Sequence, residues 1–253
     1  IEKNIERAVE AINKCERPVI YAGGGVNISG ANRELVSFAE KIKAPVTCSL
    51  MGLGAFPGTH PYFTGMVGMH GTRASNYAVS NCDLLIAIGA RFSDRVISKA
   101  DKFATRAKII HIDIDPAELG KNIDIHIPIC GDVKKILQRL TALVNEKQPN
   151  SWNEQIEEWK KTYTLKGNAP KGKLYPRFII EKLYELTSGK AIITTEVGQN
   201  QMWTAQFYKF DEPRTFISSG GLGTMGYGLG AAIGACIGRP DRRVINVAGD
   251  GSF

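Results

Sequence analysis

A carboxylate held between two glycines, Gly249-Asp250-Gly251, directly follows the apolar run Val244, Ile245, Val247 and Ala248. That run has the pattern of a strand buried on both faces of a parallel sheet. At the C-terminal end of such a strand, glycines let the backbone approach a bulky anion while the carboxylate faces a cation. Mg²⁺ takes oxygen ligands and shares them with phosphate and water, so the motif fits one half of a magnesium diphosphate site. Taken alone, Asp-Gly reads more readily as a tight hairpin turn. Two other strand ends shift the balance. One is Glu196-Val197-Gly198-Gln199; the other is Gly220-Gly221-Leu222-Gly223-Thr224-Met225-Gly226, which also opens a helix. If the strands are parallel, all three face one edge, where the free N–H groups of helix N-termini collect anions.

A second set lies earlier in the chain: Gly23 to Gly25, Ser49-Leu50, Gly89-Ala90-Arg91 and Asp113 each follow an apolar run. This set suits a dinucleotide. Glycines admit a pyrophosphate to backbone amides, Arg91 adds charge, and Asp113 and Asp132 can accept from ribose or adenine donors. GGG is a weaker signal than GxGxxG, and each glycine taken singly is more readily structural. In Met66 to Thr72 (MVGMHGT), Met69 and His70 sit between glycines before a helix, as expected where backbone lines a flat ring system. A capping or core role outweighs this for an isolated histidine. Arg91 and Arg95, around Phe92-Ser93-Asp94, equally suit a solvated, salt-bridged loop.

These residues need strands and helices in alternation to hold them. The spacing predicts helix to Cys15, strand Pro18 to Ala22, helix Ala31 to Lys43 and strand Pro45 to Cys48. Leu50 to Gly68 reads as a long Gly- and Pro-rich loop, its length suggesting a binding role. Helix Arg73 to Ser80, strand Leu84 to Ile88, a turn Gly89 to Arg95, strands Lys108 to Asp113 and Ile125 to Ile129, and helix Val133 to Val144 follow. Such alternation implies an α/β doubly wound parallel sheet with helices on both faces over residues 1–146. Residues 147–175, charged and carrying Trp152 and Trp159, read as a linker with one short helix and a turn-rich stretch at 167–172. From Pro176 a partial second α/β series runs to Phe253: helix to Leu186, strand Ala191 to Glu196, helix Gln201 to Tyr208, strand Thr215 to Ile217, helix Gly226 to Ile237 and the terminal strand. Its three strands are few for a finished doubly wound domain.

Composition narrows the function classes. The 253 residues carry a net charge of +7, but the basic residues are dispersed and not interleaved with aromatics, which argues against nucleic acid. Anionic small ligands account for the excess equally well. No apolar stretch has the length of a membrane span, and no signal-peptide pattern opens the chain. Cys15, Cys48, Cys82, Cys130 and Cys236 are odd in number and well separated. They read as reduced, mostly buried thiols of a cytoplasmic protein, with no disulfide framework or zinc site. No histidine spacing supports a metal held wholly by side chains. Lacking an initiator Met and ending on a site motif, the sequence reads as a segment of a longer protein.

The motifs together, AGGGV, SLMGLGAFP, GMHGT, DLLIAIGARFSDR, KIIHIDIDPAELGKN, CGDV, VGQNQMW, SSGGLGTMGYGL and AGDGSF, resemble the acetohydroxyacid synthase (acetolactate synthase) large-subunit family over essentially the whole chain. The resemblance implies a Rossmann-like, FAD-binding central domain followed by the first part of a thiamine-diphosphate-binding domain. It further implies carboligation of two 2-oxo acids, pyruvate with pyruvate or 2-oxobutyrate, with loss of CO₂, in branched-chain amino-acid synthesis. By motif correspondence Gly24, Ser49, Leu50, Met69, His70, Gly71, Arg91, Phe92, Asp113, Ile114, Asp132 and Val133 would contact FAD. Gly198, Gln199, Gly223, Thr224 and Met225 would contact thiamine diphosphate, with Met225 wedged beneath the bent cofactor, and Asp250 would be the first Mg²⁺ ligand. The family's catalytic Glu would lie outside these residues, so the segment alone would be inactive. A dimer or tetramer and a regulatory small subunit are implied as partners. Asn200, Gly230 and Ser93 depart from the family's usual His, Pro and acidic residue, which bears on substrate choice. A pyruvate oxidase, a 2-oxo acid decarboxylase, a sirtuin-type deacylase and a non-catalytic nucleotide-binding module are the competing readings. The GMHGT and GARFSD stretches favour the synthase, and the lack of any CxxC counts against the deacylase.

Overall fold

The structure, a computed structural model, describes residues 1–164 and 174–253. It divides into two compact units, Ile1–Phe56 with His60–Thr164, and Pro57–Thr59 with Leu165–Phe253.

The first unit contains α1 (Glu2–Lys14), β1 (Pro18–Ala22), α2 (Gly24–Ser29), α3 (Asn32–Ile42), β2 (Val46–Cys48), β3 (Phe63–Met66), α4 (Arg73–Asn81), β4 (Leu84–Ile88), α5 (Asp94–Ile97), β5 (Lys108–Asp113), β6 (Ile127–Cys130), α6 (Val133–Leu143) and α7 (Ser151–Thr162). All its strands are parallel, in the order β3-β2-β1-β4-β5-β6. Every residue of β1 and β4 is buried, which is why PVIYA and LLIAI read as unbroken apolar runs without alternation. Ile20, Ala22, Ile86, Ile88, Ile110 and Ile112 point into one core layer, with α1, α3 and α6 above them. Val19, Tyr21, Leu85, Ala87 and Ile109 point into the other, beneath α4 and α7. The doubly wound sheet is therefore present, with one strand more than expected.

That strand, β3, lies within the stretch read as a long loop. It is an edge strand of four residues, FTGM, with a glycine inside and alternating burial, so it carries no apolar run. Two short helices were also not expected: α2 starts within the Gly23 to Gly25 run, and α5 starts at the end of the segment Gly89 to Arg95 read as a turn. In the stretch read as a linker, α7 carries a capping box at Asn150 and packs on the first unit. Trp152 is 5% exposed and its indole N–H donates to the Pro18 carbonyl at 3.1 Å. The turn-rich stretch expected at 167–172 lies outside the described residues.

The second unit contains α8 (Pro176–Thr187), β7 (Ile192–Thr195), α9 (Gln199–Phe207), β8 (Phe216–Ser218), α10 (Tyr227–Gly238) and β9 (Val244–Val247). Its parallel sheet runs β8-β7-β9. On one face Thr195 bonds Ser218 Oγ at 2.8 Å, and Gln201 of α9 donates to the same oxygen at 2.6 Å. On the other, Thr194 donates to the Gly228 carbonyl of α10 at 3.1 Å. The expectation that the terminal strand is buried on both faces is corrected: all four residues of β9 are only half-buried. β9 is an edge strand here, and α10 turns Leu229, Ile233 and Ile237 outward. The thiols divide similarly. Cys48 and Cys82 are buried, and burial pushes both up to about 12, whereas Cys236 is exposed.

Candidate functional site

In the second unit the three glycine-bearing junctions meet at one rim. Because β7, β8 and β9 are parallel, their C-terminal ends share an edge. Glu196, the residue after β7, ties the other two ends together: its Oε1 accepts from the Gly249 amide at 2.6 Å and its Oε2 from the Gly226 amide at 3.1 Å. The Gly226 amide also reaches Ser252 Oγ at 3.1 Å, and Asn200 donates to the Val247 carbonyl at 2.8 Å. β9 thus leads into a short helical turn, Asp250–Ser252, and not into a hairpin. That geometry removes the tight-turn reading of Asp-Gly.

The expected ligand-facing residues stand on this rim. Gly198 caps α9 with φ 110°, and Gln199 begins that helix, exposed. Gly223 has φ 64°, and the Thr224 amide donates to Ser219 Oγ at 2.9 Å. Met225 is 63% exposed and lies over the GDG turn: a Cβ on Gly251 would come within 2.8 Å of its Cε. Asp250 is exposed. No group of three or more His, Cys, Asp or Glu side chains that could hold a metal occurs among the described residues. One exposed carboxylate in an oxygen-rich turn suits a hard cation that takes its other ligands from phosphate and water, so Mg²⁺ with a diphosphate fits these residues. A metal enclosed by protein ligands does not.

Glu196 escaped the sequence reading as a functional residue, although it was recognised as a strand end. The signal was partial: a carboxylate stands where a strand stops, two residues before a glycine, whereas Asp250 has glycine on both sides. Its side chain is 1% exposed, so its role is inward, toward backbone donors.

The first unit's rim holds the other expected residues, with mixed orientations. β1 and β4 flank the point where strand order reverses, the usual crevice of such sheets. There the Gly25 amide donates to the Gly89 carbonyl at 3.0 Å, and a Cβ on Gly23 would lie 2.1 Å from the same oxygen. Gly23 is therefore needed for close approach of two turns. Gly24 starts α2, and Ser49 caps the turn Leu50–Gly52 through a hydrogen bond to Gly52 N at 3.1 Å. Met69, His70, Arg91 and Ile114 are exposed. The Met69 amide donates to the Arg95 carbonyl at 2.9 Å, and Gly71 packs on the Met66 carbonyl.

Two expected contacts, Phe92 and Val133, are core residues at 2% and 3% exposure, so only their backbone reaches the rim. Phe92 has φ 50°, a strained value for a bulky side chain, held by ring contacts with Tyr21, Phe103 and His111. His111 Nε2 lies 2.8 Å from the Ala90 carbonyl while buried Nδ1 finds no partner, and burial pushes its pKa down against the pull of that carbonyl. Burial likewise pushes the Tyr21 hydroxyl up, opposed by its bond to Ser49. Asp113 and Asp132 each spend one oxygen on local backbone, accepting from Asp115 N and Lys135 N at 3.0 Å. Gly131, between them, continues from β6.

Comparison with known proteins identifies both units. Residues 5–140 match the family described as "Thiamine pyrophosphate enzyme, central domain", and residues 196–253 match "Thiamine pyrophosphate enzyme, C-terminal TPP binding domain". The expectation of an FAD-binding domain is thereby corrected: the first unit is classed with the central domains of thiamine pyrophosphate enzymes, not with FAD-binding domains. The physical reason is in the turn after β1, where Gly23 and Gly25 pack against Gly89 and so need no dinucleotide to explain them. Among relatives, a probable acetolactate synthase large subunit of Methanocaldococcus jannaschii is 52% identical over 98% of this chain and 44% of its own length. Acetolactate synthase 2, chloroplastic, of Nicotiana tabacum is 47% identical over 100% of this chain and 39% of its own. The acetolactate synthase isozyme 3 large subunit of Escherichia coli is 43% identical over 98% and 45%. The chain spans less than half the length of these relatives. It belongs to the thiamine pyrophosphate enzymes and is homologous, across their central and C-terminal TPP-binding domains, to acetolactate synthase large subunits.

Proposed function

We propose that the protein carrying this chain is an acetolactate synthase, condensing pyruvate with pyruvate or 2-oxobutyrate with release of CO₂ on the route to branched-chain amino acids. The observation that supports this best is the convergence of three glycine-bearing strand ends around Asp250 and Met225 on one rim. When bound, thiamine diphosphate supplies the nucleophile and electron sink for decarboxylation and carbon–carbon bond formation. The chain's own residues hold and shape it. Asp250 would take a Mg²⁺ shared with the diphosphate, Gly198, Gln199, Gly223 and Thr224 would offer backbone and small polar groups, and exposed Met225 would support the cofactor. The chloroplastic and bacterial relatives are named as the same synthase, which supports extending that activity to this protein.

The test is acetolactate production from pyruvate by the full-length protein, with and without Mg²⁺ and thiamine diphosphate. Synthesis dependent on both is expected; CO₂ release without acetolactate would favour a decarboxylase instead. Met225→Ala should lower turnover by more than about tenfold while shifting diphosphate affinity little, and equal turnover would remove the supporting role. FAD at the first unit's rim has narrower support, from exposed Arg91 and the Gly24, Ser49 and Met69–Gly71 backbone. Flavin absorbance retained through purification tests it directly. A homo-oligomer fits the family, and the word "large" in the relatives' names supports a smaller regulatory partner. The five separated cysteines, none of them in a disulfide, support a reducing, cytoplasmic setting. No helix among the described residues is long and apolar enough to cross a membrane.

A further inference from the structure

We infer that Glu196 is a positioning residue for the metal half-site, a carboxylate clamp that sets the Asp250 turn before any ligand arrives. The inference rests on the thiamine diphosphate reading and adds a residue that the reading itself does not require.

The side chain of Glu196 is nearly inaccessible, and its two oxygens accept from two backbone amides on different segments, Gly249 at 2.6 Å and Gly226 at 3.1 Å. One donor immediately precedes Asp250; the other immediately follows Met225. A single anion thus fixes the spacing between the proposed cation ligand and the proposed cofactor support. Ionised acceptors make the stronger class of hydrogen bond, and a buried carboxylate is tolerable only when its oxygens are satisfied. Asn200, four residues on in the first turn of α9, secures the Val247 carbonyl two residues before Gly249, so β9's exit is held from both sides. The backbone amides used here are turned toward protein and are not spent on an anionic ligand. The arrangement places Glu196 behind Asp250 as an outer partner of the metal ligand, the position from which orientation and affinity are tuned.

The test has two parts, on the full-length protein. In the wild type, hydrogen exchange read at single amides without ligand should show Gly249 and Gly226 protected relative to Gly221. Exchange as fast as at Gly221 would overturn the clamp, and this measurement needs no variant to fold. Glu196→Gln keeps the shape but replaces one acceptor with a donor facing an N–H. It should raise the Mg²⁺ concentration that half-saturates thiamine diphosphate binding by roughly 10–100-fold, the range for outer-shell partners, with binding restored at high Mg²⁺. A shift in thiamine diphosphate dependence with the Mg²⁺ dependence unchanged would overturn the inference. If the wild type takes up no thiamine diphosphate at any Mg²⁺ level, the cofactor reading fails and this role fails with it. A wild type that binds normally alongside an indistinguishable Glu196→Gln sinks the positioning role alone.

Discussion

The two units end their strands in glycine-rich junctions, yet they hold those junctions together by different means. In the first unit the turns after β1 and β4 touch backbone to backbone, and Gly23 is there because nothing larger than hydrogen fits against Gly89. In the second, the junctions stand apart and are bridged by the carboxylate of Glu196. A Cβ on Gly221 or Gly226 would meet nothing within 4 Å. The same sequence feature therefore reports backbone contact in one place and, at Gly221 and Gly226, open space in the other. Open space at a rim whose amides are already organised is what a ligand requires.

Substitution at single glycines breaks or sharpens this contrast. The largest effect is expected for Gly23→Ala. Its new methyl would lie 2.1 Å from the Gly89 carbonyl and 2.6 Å from Ala90 Cα, so backbone must move. Overpacking without a flexible neighbour costs about 3 kcal/mol or more, read as an earlier urea midpoint in Trp152 and Trp159 fluorescence. An unchanged midpoint would end the close-approach account. Gly226→Ala meets no neighbour but keeps φ at 76°, so the cost is backbone strain of about 1–2 kcal/mol, and Gly226→Asn should recover part of it. A loss as large as at Gly23 would erase the distinction between the rims. The smallest effect is Gly230→Ala, inside α10 with open space around it. There alanine should stabilise by about 0.5–1 kcal/mol through helix propensity, measured as a later unfolding midpoint.

What the sequence made readable follows from how each segment is buried. β1 and β4 announce themselves because both faces are covered and their runs hold no charged residue, and β5 does so through Ile109, Ile110 and Ile112 despite Lys108, His111 and Asp113. β3 does not, since an edge strand written Phe-Thr-Gly-Met needs neither alternation nor an apolar run. The same reasoning misled for β9, whose VINV composition promised a covered strand where the structure has an edge. At the site, glycine spacing was enough to bring residues 198, 220–226 and 249–251 to one edge, because parallel strands leave no other arrangement. Glu196 was legible as a strand end, but its bridging role was not, for the opposite reason. A carboxylate that bonds only to main-chain amides leaves no partner residue type to recognise, and its role exists only once three segments have met. Phe92 and Val133 show the remaining gap: their positions along the chain match rim residues, while their side chains belong to the core.

The indole of Trp152 reaches back to the first carbonyl of β1, and this bears on where the first unit can be cut. A recombinant version stopped at Glu146, where charge and turn residues begin, would uncover the underside of the central strand and strip away an aromatic lid. Stopping after Thr164 would retain both. For anyone expressing this half alone, the safe scissors point lies past the second tryptophan, eighteen residues beyond the place that composition recommends.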